Sequence, residues 1–281
     1  MTQETKIEIL KRFGAQEADM AALLAYVENA FVMAPPPDTN FSQNSAMLLR
    51  WKEIVQQSTQ DVEAALRRYL APTAPLHLLA PTQTRVELYA SFAGVLPIIY
   101  TQNTADFETL VTQIVYKGQK VDNIAQMGAM FAFGKNNRFI ILSNKPYSNV
   151  PAQEMCMDDA AWRAASMILR REHECTHYYT KSIFNTSNNN LHDEMIADFN
   201  GIYTALGFYK AEYFVRFWQE RFPLYTKNLT ENQVKVINAI AFAEAAMLEK
   251  WSKSAQFLQM SVQDRICFLC KNSLLQLLQM A

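Results

Sequence analysis

Apolar residues recur at steps of three and four over most of the chain, and this spacing is typical of one buried face of an α-helix. The pattern predicts a group of helices at the N-terminus and an all-helical C-terminal third. The segment 34–38, which contains three consecutive prolines at 35–37, separates two of the N-terminal helices, because proline removes a backbone donor and fixes φ. The predicted helices are 3–13, 16–33, 44–70, 208–221, 230–252 and 255–279.

In the middle of the chain the pattern changes to short runs of β-branched and aromatic residues, which predict strands at 86–92 and 95–101. A hairpin is predicted from strands at 130–133 and 138–143, since the Gly-Lys-Asn-Asn sequence between them is typical of a tight turn. We therefore expect a small mixed or antiparallel sheet.

Two further helices are predicted after this sheet. Asp158 or Asp159 can cap a long helix that runs to about Phe184, and a polar linker of Asn, Ser and Thr follows it. The second helix begins near His192 and ends at Gly207, because glycine readily adopts the left-handed conformation that ends helices.

These elements predict an α+β protein that is predominantly helical and forms one compact unit. An N-terminal helical part covers residues 1–84, and the rest of the chain covers 85–281. Within the second part, in chain order, we expect the sheet at 86–143, the helix pair at 158–207 and the C-terminal helices at 208–281.

Composition and charge narrow the class of protein. Half of the 281 residues are apolar and 19% are charged, which excludes extensive disorder. The formal net charge of −1 comes without a basic run, which argues against a nucleic-acid partner. The N-terminus lacks the apolar core of a secretory signal, and no apolar stretch reaches the ~20 residues of a membrane span. Four unevenly spaced cysteines fit free thiols, so we expect a soluble cytoplasmic protein.

Three of the four histidines lie close together, and the first two form the motif HExxH at 173–177. Because residues four apart share one face of a helix, the imidazoles of His173 and His177 can both reach one zinc ion. Glu174 then lies beside a metal-bound water and can act as a general base. The sequence therefore predicts two zinc ligands and one catalytic residue in a single helical turn.

A catalytic zinc site takes three protein ligands and leaves one position for water. The second helix offers Glu194, His192 and Asp193 as candidates for the third ligand. We favour Glu194, because Asp198 lies four residues further along the same face and can accept the remaining N–H of a ligating histidine.

With His173, Glu174, His177, Glu194 and Asp198, the chain resembles the gluzincin metallopeptidases, the thermolysin-like branch of the zincins, which pair HExxH with a downstream Glu-x-x-x-Asp. The resemblance implies that His173, His177 and Glu194 are metal ligands. It also implies that Glu174 is the base and that Asp198 is the partner of a ligand. The segments HECTHYYT and LHDEMIADFNG also resemble a small, functionally uncharacterised bacterial group.

The same resemblance carries an expectation about the fold. In zincins a small sheet lies beside the HExxH helix, and an edge strand of that sheet holds the backbone of the substrate. The strand at 138–143 is the expected edge in this chain.

Other reactive side chains near the motif are expected mainly to pack. Cys175 and the CxxC pair at 267–270 lie on helices with apolar faces, and no second cysteine pair exists to close a zinc site. Three tyrosines are candidates for donating to a developing oxyanion, although packing in the core is the commoner role: Tyr178, Tyr179 and Tyr203.

The predicted function is zinc-dependent hydrolysis of a peptide bond, with Zn²⁺ as cofactor, a peptide or protein as substrate, and neither nucleic acid nor membrane as partner. One alternative is a binding or scaffold protein with a structural or vestigial zinc site, in which four protein ligands would close the metal. A second alternative is a di-iron helical protein, which requires two Glu-x-x-His motifs, and only Glu174 to His177 supplies one.

Overall fold

A computed structural model describes residues 1–29, 31, 46–70, 72, 74–134, 137–184 and 190–279. The structure of this part of the chain is mostly helical with one four-stranded mixed sheet, which confirms the predicted α+β class. The segment 34–38 with its three prolines, the hairpin turn at 135–136 and the linker at 185–189 lie outside the described residues.

In the described residues, four helices precede the sheet: α1 (Gln3–Arg12), α2 (Met20–Tyr26), α3 (Ala46–Ser58) and α4 (Val62–Leu70). The prediction of a single helix over 44–70 is wrong, because the chain turns after α3 and starts a new helix. The Asp61 side chain caps α4 by accepting a hydrogen bond from the Ala64 N–H at 2.9 Å. Residues predicted as helix before α2 form a 3₁₀ turn at Glu17–Asp19.

The sheet confirms all four predicted strands: β1 (Thr84–Ser91), β2 (Gly94–Thr101), β3 (Ala129–Gly134) and β4 (Asn137–Ser143). Their spatial order is β1-β2-β4-β3. The β1–β2 and β3–β4 pairs are antiparallel hairpins, whereas β2 and β4 run parallel. A helix that the pattern did not predict, α5 (Thr104–Leu110), leads the chain from β2 towards β3, and a π-helical turn at Val111–Val115 continues it.

The expectation that the strand at 138–143 forms the edge of the sheet is wrong. This strand, β4, pairs with β2 on one side and with β3 on the other, so β1 and β3 are the edges. The side chains from Phe139 to Leu142 are all buried, and such a run on both faces of a strand is typical of a central position.

The two helices predicted after the sheet are confirmed almost to the residue: α6 (Asp159–Phe184) and α7 (Leu191–Leu206). The helical C-terminal part is also confirmed, but the predicted helix at 255–279 is divided into three. Beyond α7, the described helices are α8 (Ala211–Thr226), α9 (Glu231–Trp251), α10 (Ala255–Gln259), α11 (Val262–Lys271) and α12 (Leu274–Leu277). The divisions fall where Ser261 and Ser273 begin new helices.

The chain divides into two compact units, here called the sheet unit (38–175) and the helical unit (1–37 and 176–281). The boundary at 175/176 falls inside the continuous helix α6, and the predicted boundary at 84/85 falls inside the sheet unit. No helix in the described ranges is long and apolar enough to cross a membrane.

Each unit has its own apolar core. In the sheet unit, fully buried side chains of helices α3 to α5 and of the sheet form one core, among them Trp51, Ile54, Leu66, Phe107, Leu110 and Ile141. In the helical unit an aromatic cluster connects α7, α9 and α10. The ring centroid of Phe199 lies 5.5 Å from that of Trp251 and 5.7 Å from that of Phe257. These cores hold the helices that carry the candidate site.

Candidate metal centre

Helix α6 carries both histidines of the HExxH motif. Asp158 caps its start by accepting from the Ala161 N–H at 2.8 Å. The buried indole of Trp162 anchors the first turn, because its Nε1 donates to the Val150 carbonyl at 2.7 Å. The helix formers that follow contain neither glycine nor proline up to residue 184. His173 and His177 therefore lie one turn apart on a continuous helix, as the sequence predicts.

Helix α7 brings the predicted third ligand. Asn190 caps it by accepting from the Asp193 N–H at 3.2 Å, and Gly207 ends it in the left-handed conformation at φ 78°. The N-terminal half of α7 is buried even at its polar positions. Glu194 lies in the first turn, where the helix dipole favours a carboxylate.

One ligand atom from each of His173, His177 and Glu194 lies within 4.8 Å of the others, and these three residues are called the ligand group below. His177 Nε2 and Glu194 Oε1 are 3.4 Å apart. His173 belongs to the sheet unit, but it is one turn from His177 in the uninterrupted helix α6. The arrangement of the group is therefore set by α6 and by α7, which α6 contacts through His177. It can chelate a single cation, because two nitrogens and one oxygen converge.

The second ring nitrogen of each histidine also has a partner. His173 Nδ1 lies 2.9 Å from the Tyr147 hydroxyl, and His177 Nδ1 lies 3.2 Å from Asp193 Oδ1. A histidine that binds metal through Nε2 carries its proton on Nδ1, and a fixed acceptor orients the ring and raises its basicity. At these two atoms, Tyr147 and Asp193 occupy the position that the sequence predicts for Asp198.

Asp198, which the sequence predicts as the partner of a ligating histidine, contacts Arg221 of α8. Arg221 also donates from Nη1 to Glu194 Oε2 at 3.0 Å, so it bridges the two carboxylates of the Glu-x-x-x-Asp motif. The Tyr225 phenol also lies close enough to Glu194 for the two groups to interact electrostatically. Asp198 is therefore connected to the ligand group through Arg221.

Buried acidic side chains gather around the ligand group. Asp193, Glu194 and Asp198 are at most 3% exposed, and Arg221 contacts two of them. Buried charges are costly unless they are paired, so these carboxylates favour a cation on the ligand group.

The protonation of the site responds to these charges. Burial alone would lower the pKa of His177, but the neighbouring Asp193 and Glu194 outweigh it and hold the pKa well above its ordinary value. Burial and the Glu194 charge raise the pKa of the Tyr225 phenol, so that group stays a neutral donor.

The rival ligands His192 and Asp193 do not belong to the ligand group. His192 is 2% exposed, and its Nε2 lies 3.2 Å from the Leu269 carbonyl. Burial lowers the pKa of His192 to about 4, so the ring is neutral and packs at the start of α7. Asp193 instead orients His177, a role that sequence spacing could not distinguish from that of a ligand.

Glu174 lies on the turn of α6 between the two histidines and is half-buried. Within the described ranges, no hydrogen bond or ion pair engages its carboxylate. Arg170 lies one turn earlier and donates to the carbonyls of Ser143, Lys145 and Pro146 at 2.9 to 3.2 Å. Arg170 thus fixes the segment just before Tyr147, and it forms no ion pair with the Glu174 carboxylate.

The tyrosines predicted as oxyanion donors have other surroundings. Tyr178 is buried, the Tyr179 hydroxyl lies 3.5 Å from Cys267 Sγ, and the Tyr203 ring packs edge-on against Phe257. Among the described residues, the Tyr147 phenol contacts His173, and the Tyr225 phenol interacts electrostatically with Glu194. Sequence reasoning missed both, although Arg221 and Tyr225 are four apart on a helix and this spacing marks a shared polar face.

The cysteines are free thiols, as predicted. Cys175 and Cys270 are fully buried, and burial raises the pKa of both thiols, so they are neutral packing groups. Cys267 is partly exposed and contacts Tyr179. None of these sulfurs belongs to the ligand group.

Comparison with known proteins places the chain in one family. A model described as "Family of unknown function (DUF7005)" matches residues 63–138 and 136–281, so the chain belongs to this family. Neither the curated proteins nor the solved structures contain a detectable match to it.

Proposed function

We propose that this member of the DUF7005 family is a zinc-dependent hydrolase, specifically a metallopeptidase of gluzincin type with a zincin-like arrangement of sheet and metal helices. The ligand group carries the proposal: atoms of His173, His177 and Glu194 converge to within 4.8 Å, with Glu174 on the same turn as the histidines. A catalytic zinc site has this number of protein ligands, whereas a structural site has four.

The donor set fits zinc better than the other common divalent cations. Two imidazole nitrogens and one carboxylate oxygen are usual zinc ligands, while magnesium and calcium prefer oxygen alone. The buried carboxylates of Asp193, Glu194 and Asp198 around the ligand group favour a cation there. The Nδ1 partners of both histidines support Nε2 as the binding atom. A di-iron centre is not supported, because the ligand group has one carboxylate.

When bound, zinc supplies Lewis acidity, which polarises a carbonyl and brings the pKa of water near neutrality. The chain itself supplies the proton transfer. Glu174 accepts the proton of the attacking water and delivers it to the nitrogen of the leaving amine, so one carboxylate serves as base and then as acid. This role needs a carboxylate without a fixed partner, and Glu174 has no hydrogen bond within the described residues.

We assign the substrate backbone to the edge strand β3, in place of β4. An extended peptide can add to an exposed edge through main-chain hydrogen bonds. The start of β3 lies beside α6, because a Cβ on Gly128 would be 2.6 Å from the Arg170 guanidinium. Arg170 is one turn before the HExxH residues. A peptide or protein substrate is therefore proposed, in the reducing cytoplasm that the free cysteines suit.

The test combines metal analysis with a cleavage assay on a complex peptide library. We expect the wild-type protein to bind one zinc per chain and to cleave library peptides. Glu174→Gln should keep the zinc and lose cleavage, because it removes a base and no ligand. His173→Ala should lose both. Glu172→Gln is the matched control, since Glu172 lies two residues before Glu174 on α6 and its carboxylate accepts a hydrogen bond from the Tyr89 hydroxyl at 2.7 Å.

The outcomes separate the two functions that the site can serve. Full cleavage by Glu174→Gln contradicts the mechanism. Stoichiometric zinc without cleavage of any peptide favours the non-catalytic alternative, a binding or scaffold protein with a retained metal. Absence of zinc binding by the wild type contradicts both.

A further inference from the structure

The two carboxylate oxygens of Glu194 have different partners. Oε1 lies 3.4 Å from His177 Nε2, on the side of the ligand group. Oε2 accepts a hydrogen bond from Arg221 Nη1 at 3.0 Å. One oxygen therefore faces the ligand group while the other is held from α8.

Several contacts fix the guanidinium of Arg221. Its Nη2 contacts Asp198, and its Nε donates to the Phe217 carbonyl at 3.3 Å, one turn earlier on α8. The guanidinium is planar, so these contacts set the direction of every N–H. The side chain is 16% exposed, which leaves water little access to compete for the two carboxylates.

The spacing of α7 and α8 is held near this contact. The Tyr26 hydroxyl accepts from the Leu191 N–H at 3.2 Å and donates to the Tyr225 carbonyl at 3.3 Å. This hydroxyl connects Leu191 of α7, one turn before Glu194, with Tyr225 of α8, one turn after Arg221. Arg221 thus reaches Glu194 from a fixed distance.

We propose that Arg221 is a positioning residue that restricts Glu194 to binding the cation through one oxygen. The proposal rests on the proposed metal site. A carboxylate with two free oxygens can bind a cation with both and so occupy two coordination positions. With Oε2 held by Arg221, Oε1 alone joins the two imidazoles. The fourth position of a tetrahedral ion then stays available to water or to a substrate carbonyl.

Arg221 also affects metal binding through its charge, which opposes any nearby cation. A substitution that removes the charge would mix this effect with the loss of positioning. Arg221→Lys separates them, because lysine keeps the positive charge but cannot hold two carboxylates through a planar fork. Arg216→Lys is the matched control, since Arg216 is an exposed arginine on the same helix.

The experiment replaces the metal with cobalt(II), whose visible absorption is intense in four-coordinate sites and weak in five- or six-coordinate sites. The wild type and Arg216→Lys should both give the intense spectrum. Arg221→Lys should give a weak one, because Glu194 then binds through both oxygens. Zinc affinity, measured by competition with a chelator, should fall about tenfold or more in Arg221→Lys, as is usual when a partner of a metal ligand is lost.

A four-coordinate spectrum from folded Arg221→Lys overturns the proposal, whatever its zinc affinity. If circular dichroism shows that this variant does not fold, Asp198→Asn decides, because it frees the guanidinium of Arg221 and should weaken the spectrum in the same direction. A wild-type spectrum from Asp198→Asn then counts against the proposal. Failure of the wild type to bind cobalt or zinc refutes the metal site itself, which is a different result.

Discussion

His177 and Asp193 join α6 to α7 through a contact of 3.2 Å between Nδ1 and Oδ1. Asp193 is the residue before Glu194, so one turn of α7 both contributes Glu194 to the ligand group and contacts the imidazole of His177, another member of that group. Adjacent residues on a helix point about 100° apart. Asp193 and Glu194 therefore reach the two nitrogens of one imidazole, Nδ1 and Nε2.

Asp193→Asn should weaken zinc binding by about 10- to 100-fold, because the amide keeps an acceptor oxygen but loses the charge that supports the ligand. The dissociation constant can be measured by competition with a chromophoric chelator. Asp122→Asn is the control, since Asp122 is 87% exposed in its ion pair with Lys120. Equal zinc affinity in wild type and Asp193→Asn would show that the contact does not support the ligand.

Tyr147→Phe should weaken zinc binding by about tenfold, since His173 Nδ1 loses its partner at 2.9 Å while the ring stays in place. Tyr116→Phe, at a tyrosine that is 37% exposed, is the control and should leave the dissociation constant unchanged. The same titration serves both variants. A Tyr147→Phe protein that binds zinc like the wild type would limit the role of this phenol to packing.

Zinc should stabilise the wild type, because a ligand that binds only the folded state shifts the folding equilibrium. At a free zinc concentration 100 times the dissociation constant, the gain in the free energy of unfolding is about 2.7 kcal/mol. Urea denaturation with and without zinc measures it. His177→Ala should show no gain, and a wild type insensitive to zinc would be inconsistent with the site.

The local elements of the site followed from sequence, whereas its contacts did not. Helical spacing and caps predicted α6 and α7, and with them the positions of His173, His177 and Glu194. The partner of His177 depends on how α7 is rotated against α6, which spacing within one helix cannot define. The sequence therefore predicted Asp198 as the partner of a histidine and offered Asp193 only as a rival ligand. Arg221 lies too far along the chain to be connected with either.

The sheet shows the same limit. Alternation and turn residues predicted both hairpins, because these depend on neighbours in sequence. The place of β4 between β2 and β3 depends on a parallel pairing between strands that α5 and β3 separate along the chain. The continuous apolar run at 139–142 was the available signal for a central strand.

Gly128→Ala should destabilise the protein by about 1–3 kcal/mol, because a new Cβ would lie 2.6 Å from the Arg170 guanidinium, and such overpacking forces neighbours to move. Arg170 cannot shift easily, since it donates to three carbonyls. Chemical denaturation measures the effect. In an Arg170→Lys background the added penalty of Gly128→Ala should shrink, and full additivity of the two changes would contradict the steric explanation.

Glu244 of α9 is fully buried, and neither of its carboxylate oxygens is hydrogen-bonded to any described residue. Burial raises the pKa of this carboxyl well above its ordinary value, so the folded protein holds it protonated. An unfolded chain releases that proton above the ordinary pKa of glutamate, near 4.5. The contribution of Glu244 to stability is therefore greatest at acidic pH and falls as the pH rises towards the folded-state pKa, by at most about 1.4 kcal/mol per pH unit.

Glu244→Gln removes this titration while keeping the shape of the side chain, so the variant should gain stability relative to the wild type as the pH rises from 5.5 to 8. Urea denaturation at both pH values measures the difference, and subtraction of the two proteins cancels titrations elsewhere, including that of His177. Glu8→Gln, at an exposed glutamate of α1, is the control and should follow the wild type. A stability difference between wild type and Glu244→Gln that is the same at both pH values would mean that Glu244 is ionised in the folded protein, because only a group protonated in one state and not in the other makes stability depend on pH.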